Sequence, residues 1–253
     1  MFSVTTRRNL TKIGGPNGFL SPSGKRVASI RDILLHPATN EHRHSTALTI
    51  LDVATGKPVV DIRDSQKEPV AWRGDGDAIA SAEGKKHQLG IWDIKTGRRI
   101  GKVVSHYDKI THAAFLDNHI VTMSRDGTLR ITDVATSKTI SKLEVEGVPR
   151  LLSVSSRGQI VSVWSNTVYI WYPGTNQVTS YKLPMVREIE GWPLDVSRDG
   201  RYMVSRTEEG FDVMDVNSGE TVFENTDGMI TAAAFGDRYL VTGKENGVEV
   251  WDF

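Results

Sequence analysis

Apolar and polar residues alternate along most of this chain in short runs. Ile110–Phe115 (ITHAAF) leads through residues 116–118 to His119–Ser124 (HIVTMS), and then through Arg125, Asp126 and Gly127 to Leu129–Val134 (LRITDV). Alternation over five or six positions, with Asp, Gly and Asn at the joins, predicts β-strands linked as hairpins. The outline then repeats. LGIWDIKTGRRIGKV (Leu89–Val103) holds a β-run, a Trp-Asp pair, a Thr-Gly turn and a second β-run. LTILDVATGKPVVDI (Leu48–Ile62), LRITDVATSKTISKL (Leu129–Leu143), VYIWYPGTNQVTSYKL (Val168–Leu183) and FDVMDVNSGETVFEN (Phe211–Asn225) follow it, and VEVWDF (Val248–Phe253) begins a sixth copy. The Asp falls at Asp52, Asp93, Asp133, Asp215 and Asp252, with Tyr172 in the equivalent slot of the fourth copy. Each copy is predicted to hold four strands, here a to d, joined by short turns. Gly56, Gly97 and Gly219 stand after strand c, where a left-handed backbone is needed.

Composition narrows the classes of function. The chain has 253 residues, and its 31 Lys and Arg equal its 31 Asp and Glu, so no net field draws it to nucleic acid or anionic lipid. There is no cysteine, which excludes a disulfide scaffold and a thiolate metal site. No apolar run approaches the roughly 18 residues that span a bilayer. Met1–Gly15 carries Arg7, Arg8 and Lys12 without an apolar core, so no secretory signal is expected. These absences predict a cytoplasmic or nuclear protein that is monomeric alone and binds neither membrane nor nucleic acid.

The forty-residue period and the Trp-Asp pairs resemble the WD-repeat β-propeller family, over nearly the whole chain. The most faithful copy runs from Ser105-His106 through Ser124, Asp126 and Gly127 to Thr132-Asp133. The resemblance implies an all-β fold: a propeller of six four-stranded blades in one domain. The blades would cover about 13–62, 68–103, 109–143, 148–183, 191–225 and 229–253. The last has strands a, b and c only, and Met1–Thr6 is expected to supply its d strand, removing the open edge. In the family a Ser or Thr, a His, an Asp and a Trp form a buried hydrogen-bonded chain. By resemblance His106, Ser124 and Asp126 take those structural roles, with Thr132 in place of the Trp. Trp72, Trp92, Trp171 and Trp251 are expected in the core.

The candidate binding residues follow from the repeat. Counting back four residues from the core position of strand a gives Pro16, Glu68, Thr111, Arg150, Trp192 and Thr231. In a propeller these slots ring the mouth of the central channel, and Trp and Arg there suit partner recognition. Residues 31–47 form an insertion carrying His36, His42 and His44, a candidate contributor to partner binding; the histidine spacing matches no metal motif, so no metal is expected. His106, Ser124 and Asp126 do not read as a hydrolytic triad, because no nucleophile elbow accompanies them.

Two functions are in play. The first is a non-enzymatic scaffold or adaptor that binds a peptide or protein partner on the channel-mouth face, without a cofactor. The alternative is a small-molecule propeller enzyme or ligand-binding propeller, lactonase- or quinoprotein-like, with its site at the central channel. Against the alternative, Glu68 is the one hard oxygen ligand among the mouth slots, fewer than the 6–8 oxygens Ca²⁺ prefers.

Overall fold

A computed structural model describes residues 18–34, 44–62, 69–83, 87–183, 192–236, 238–245 and 247–252. Their strands make six separate antiparallel sheets, each built from strands consecutive in sequence. The first holds β1 (Phe19–Leu20), β2 (Arg26–Leu34), β3 (His44–Asp52) and β4 (Pro58–Ile62). The second holds β5 (Pro69–Trp72), β6 (Ala78–Ala82), β7 (Leu89–Asp93) and β8 (Arg99–Val103). β9 (Ile110–Leu116), β10 (His119–Ser124), β11 (Thr128–Asp133) and β12 (Thr139–Glu144) form the third. The fourth contains β13 (Pro149–Val154), β14 (Ile160–Trp164), β15 (Thr167–Tyr172) and β16 (Gln177–Lys182). The fifth contains β17 (Trp192–Val196), β18 (Tyr202–Arg206), β19 (Phe211–Asp215) and β20 (Thr221–Asn225). β21 (Ala232–Phe235), β22 (Tyr239–Lys244) and β23 (Gly247–Asp252) make the sixth.

The closed six-bladed propeller expected from the sequence is not what these residues form. The sheets are separate and none is closed, and the sixth has three strands instead of four. The sixth sheet gives the physical reason. Among the described residues no strand lies beside β23 on its far side, and its Val248 and Val250 are 69% and 64% exposed. Met1–Thr6 itself lies outside the described residues. The chain divides into two compact units, Met1–Val121 with Ile131–Ile140, and Thr122–Arg130 with Ser141–Phe253.

Within each unit the sheets pack by one rule. In the first unit Ala28, Leu48, Ile50 and Ile62 of the first sheet meet Trp72, Ile79, Trp92 and Ile94. Ala80, Leu89, Ile91 and Val103 of the second sheet then meet Ile110, Ile120 and Val134. In the second unit Val161, Val163, Val168 and Ile170 of the fourth sheet meet Met203, Met214 and Val216. Val204, Phe211 and Val213 of the fifth meet Ile230 and Leu240, with Trp251 packed alongside. Alternation puts a strand's odd and even residues on opposite faces, so each sheet has two apolar faces to bury.

The Asp that marks each copy caps the turn between strands c and d. The Asp93 carboxylate accepts bonds from the Thr96 amide at 2.7 Å and its hydroxyl at 2.6 Å. Asp52 with Thr55 and Asp133 with Thr136 repeat the arrangement. In all three, the threonine hydroxyl is the main influence holding the carboxyl below its usual range. Gly97 completes one such turn at φ +67°, and a Cβ there would press on Val60 at 2.8 Å.

The 31–47 insertion is largely hairpin. β2 and β3 run nine residues each and stay paired to Leu34 opposite His44, so the insertion lengthens the b–c strands and leaves only 35–43 between them.

A second repeated position becomes visible in the structure. Strand b carries a hydroxyl in every sheet, at Ser29, Ser81, Thr122, Ser162, Ser205 and Thr242, each at most 6% exposed. The Trp92 indole donates to Ser81 Oγ at 3.0 Å, and the Trp251 indole donates to Thr242 Oγ1 at 3.0 Å. Trp171 departs from this: its indole reaches Asn176 Oδ1 at 3.4 Å, and Ser162 Oγ has no hydrogen-bond partner among the described residues.

Candidate functional site

The expected mouth residues occupy equivalent strand positions. Thr111 is the second residue of β9, Arg150 the second of β13 and Trp192 the first of β17, while Thr231 directly precedes β21. Thr231 Oγ1 donates to the Gly243 carbonyl at 3.1 Å, which ties it to β22. Glu68 lies outside the described residues, as does the side chain of Trp192. Within the second unit the strands that carry or adjoin Arg150, Trp192 and Thr231 lie side by side, β13 beside β17 and β17 beside β21. His36 and His42 also lie outside the described residues; His44 opens β3, and its side chain is not described.

His106 and Ser124 are buried, at 3% and 0% exposed. The Ser124 hydroxyl accepts from the Asp126 amide at 3.2 Å. Asp126 Oδ1 accepts from the Thr128 hydroxyl at 2.6 Å, and its Oδ2 faces Arg130 at 3.4 Å. Asp126 thus braces the b–c turn, and His106, Ser124 and Asp126 each have further interactions. The hydroxyl column of strand b passes through Thr122, two residues before Ser124. Among the described residues no group of three or more His, Cys, Asp or Glu gathers as a metal site.

A concave site lies at the opposite ends of the strands. It is a cleft of about 310 Å³ in the second unit, lined by residues of the a–b turns of the fourth, fifth and sixth sheets. Arg198 and Arg238 contribute guanidiniums, Asp199 a carboxylate, and Tyr202, Tyr239 and Phe235 aromatic surface. The turns are held from within. Ser197 Oγ accepts from the Tyr202 amide at 2.8 Å and donates to Asp199 at 2.7 Å. That hydroxyl is the main influence lowering the Asp199 carboxyl, so the group is ionised and oriented at neutral pH. The Ser156 amide donates to the Arg198 carbonyl at 2.8 Å, which joins two of the turns. Arg201 sits over the Tyr202 ring at 4.9 Å and reaches Asp215 at 3.4 Å.

Beneath the cleft, Asp195 ties the fifth sheet to the sixth. Its Oδ2 accepts from the Phe235 amide at 2.8 Å, and its Oδ1 accepts from the Val196 amide at 2.8 Å. Burial pushes its carboxyl up, against those two bonds. The folded state therefore holds this proton more tightly than the unfolded chain, and the group's contribution falls as pH rises from the unfolded value through the folded one. Asp195→Asn removes the buried charge but turns one of the two accepting oxygens into a donor that faces a backbone N–H. The variant's melting temperature relative to the parent's is therefore expected to improve as pH rises from about 4, near the unfolded value, to 7, whatever the sign of the difference at low pH. Thermal unfolding of both proteins across that range checks this; a gain that grew toward acid would be the wrong sign.

Reading the sequence missed this cleft. The a–b turns carry a signal nonetheless: Arg157, Arg198, Arg201 and Arg238 fall in or beside those turns of the last three copies. The repeat directs attention to the conserved outline of strand c, whereas these arginines belong to turn positions that vary between copies.

No family model matches the chain. Among curated proteins it is similar to telomerase protein component 1 of Mus musculus, with 31% identity over 64 residues, or 25% of this chain. The chain spans 2% of that protein's length. Among solved structures it is similar to the computationally designed Ika8 protein, with a TM-score of 0.64 and 23% identity over 90% of this chain and 68% of that one. At that level of identity the likeness speaks to fold alone, and what it supports is an all-β chain of repeated, mostly four-stranded sheets.

Proposed function

We propose that this chain is a non-enzymatic interaction module that takes an acidic peptide segment of a partner protein into the a–b turn cleft. The cleft itself carries the reading. Among its described lining residues two guanidiniums stand with one carboxylate, and three aromatic rings flank them. Arg and Tyr dominate interface hot spots, and a guanidinium matches a carboxylate in a bidentate pair. A volume of about 310 Å³ suits one or two side chains, since small-molecule pockets run from roughly 300 to 1,000 Å³. The turns presenting these groups are pinned by their own hydrogen bonds, so little ordering cost falls on binding. The WD-repeat resemblance supports the same class of role, because relatives of that family serve as scaffolds.

Selection of a random peptide library on the purified protein tests this. Enriched peptides should carry Asp or Glu beside an aromatic or aliphatic residue. Arg198→Glu combined with Arg238→Glu should weaken their binding at least about tenfold, a loss of about 1.4 kcal/mol. Both residues are exposed, so the melting temperature should hold. Peptides that bind parent and double variant equally would refute the reading.

A further inference from the structure

The fifth sheet carries two carboxylates face to face. Asp212 of β19 stands directly opposite Glu224 of β20, and Ser205 of β18 stands opposite Asp212 on its other side. Cross-strand partners share a face, so one row runs Ser205, Asp212, Glu224 from strand b to strand d. The row lies on the face of Met203 and Met214, which pack against Val161, Val163 and Val168 of the fourth sheet. It leads from a buried hydroxyl to open solvent: Ser205 is 6% exposed, Asp212 is half-buried and Glu224 is exposed.

The row lacks the partners such groups need. Ser205 Oγ and Asp212 Oδ1 are both buried, and neither has a hydrogen-bond partner among the described residues. Burial, and after it the like charge of Glu224, push the Asp212 carboxyl up, and no cationic side chain among the described residues offsets them. The matching rows of other sheets avoid this. The first sets Thr49 against Asp61, with the hydroxyl donating at 2.7 Å; the second sets Gly90 against Lys102, and the fourth Tyr169 against Ser180. In the second and sixth sheets the strand-b hydroxyl accepts a Trp indole N–H, whereas Met214 fills the Trp slot here and brings no donor. Like charges directly opposite on neighbouring strands destabilise a sheet, so a positive charge held between them would relieve a standing cost.

We propose that this row binds a hard divalent cation of the Ca²⁺ or Mg²⁺ class. Carboxylate and hydroxyl oxygens are the donors such ions take. Asp212 and Glu224 match the two charges of the ion, Ser205 Oγ offers a neutral oxygen from the buried side, and water completes the shell from the exposed side. Ser205 is next to last in β18 and Asp212 is second in β19, so the site lies by the b–c turn. It is at the other end of the strands from the a–b turn cleft and independent of it.

The test uses the whole chain, freed of metal with a chelator, and reads thermal unfolding at neutral pH in separate series of rising CaCl2 and MgCl2. Tm should climb saturably in at least one series, with the folding equilibrium constant up about tenfold when the ion exceeds its Kd about tenfold. NaCl at matched ionic strength reports plain screening of the two carboxylates and should give no saturable rise. Asp212→Asn should abolish the response, and so should Glu224→Gln, whose exposed position leaves the packing intact. Asp61→Asn, at the matching position of the first sheet, should keep it. Four results overturn the proposal: no rise in either series, an equal rise in NaCl, a full response in Asp212→Asn or Glu224→Gln, or loss of the response in Asp61→Asn. A Tm that climbs toward acid while ignoring both divalent ions would place a proton between the carboxylates instead.

Discussion

Replacing Trp92 with Ala should remove about 3–5 kcal/mol of folding stability, the range for deleting a large aromatic from a packed core. Trp92 is 1% exposed, in the core where the first and second sheets meet, against Leu48, Ile50 and Ile62 on one side and Ile79 on its own sheet. Its indole donates to Ser81, and the Arg99 guanidinium lies over its ring at 4.9 Å. Trp92→Phe keeps most of the apolar burial and loses the indole bond, so a cost of about 1–2 kcal/mol is expected. Trp171→Phe should cost less than Trp92→Phe, because the Trp171 indole makes only a 3.4 Å contact with Asn176. Urea unfolding of the variants gives the order. A Trp92→Ala protein within about 1 kcal/mol of the parent would mean that the first two sheets do not share this core.

The second large effect is expected at Gly101. This residue lies in β8, and a Cβ on it would run into the Val134 carbonyl oxygen and the Val134 side chain. Backbone cannot yield as a flexible side chain can, so Gly101→Ala should cost about 1–3 kcal/mol through overpacking, and Gly101→Val more. Gly74→Ala is the matched control. Nothing lies within 4 Å of a Cβ there and its φ is not left-handed, so that change should be neutral or stabilising by up to about 1 kcal/mol. Chemical denaturation of the three variants separates the two sites. Equal stability of Gly101→Ala and Gly74→Ala would show that the second and third sheets do not approach as closely as described.

The repeat made the sheets legible. Alternation and the Asp-x-x-Thr-Gly turn act locally, so the strands around Trp92, Phe211 and Trp251 could be placed from sequence with their turns. Ring closure was not legible, because whether the sixth sheet meets a partner depends on contacts between distant residues, and Val248 and Val250 look alike buried or bare. The same reason hid the cleft: Arg198, Arg238 and Tyr239 are separated in sequence and meet only because successive a–b turns are brought side by side. The strand-b hydroxyls could have been read, since Ile79-Ala80-Ser81, Ile160-Val161-Ser162 and Leu240-Val241-Thr242 share one pattern.

Six like sheets, the last of three strands among the described residues, is the central claim, and hydrogen exchange resolved by residue in the free chain tests it most directly. Amides of the central strands β7 and β19, each paired on both sides, should exchange slowly. Every second amide of β23, facing away from β22, should exchange at nearly the rate of an unstructured peptide, as unpaired edge amides do. Uniform protection across Val248–Asp252, equal to that of β19, would show the sixth sheet already covered and would contradict the account.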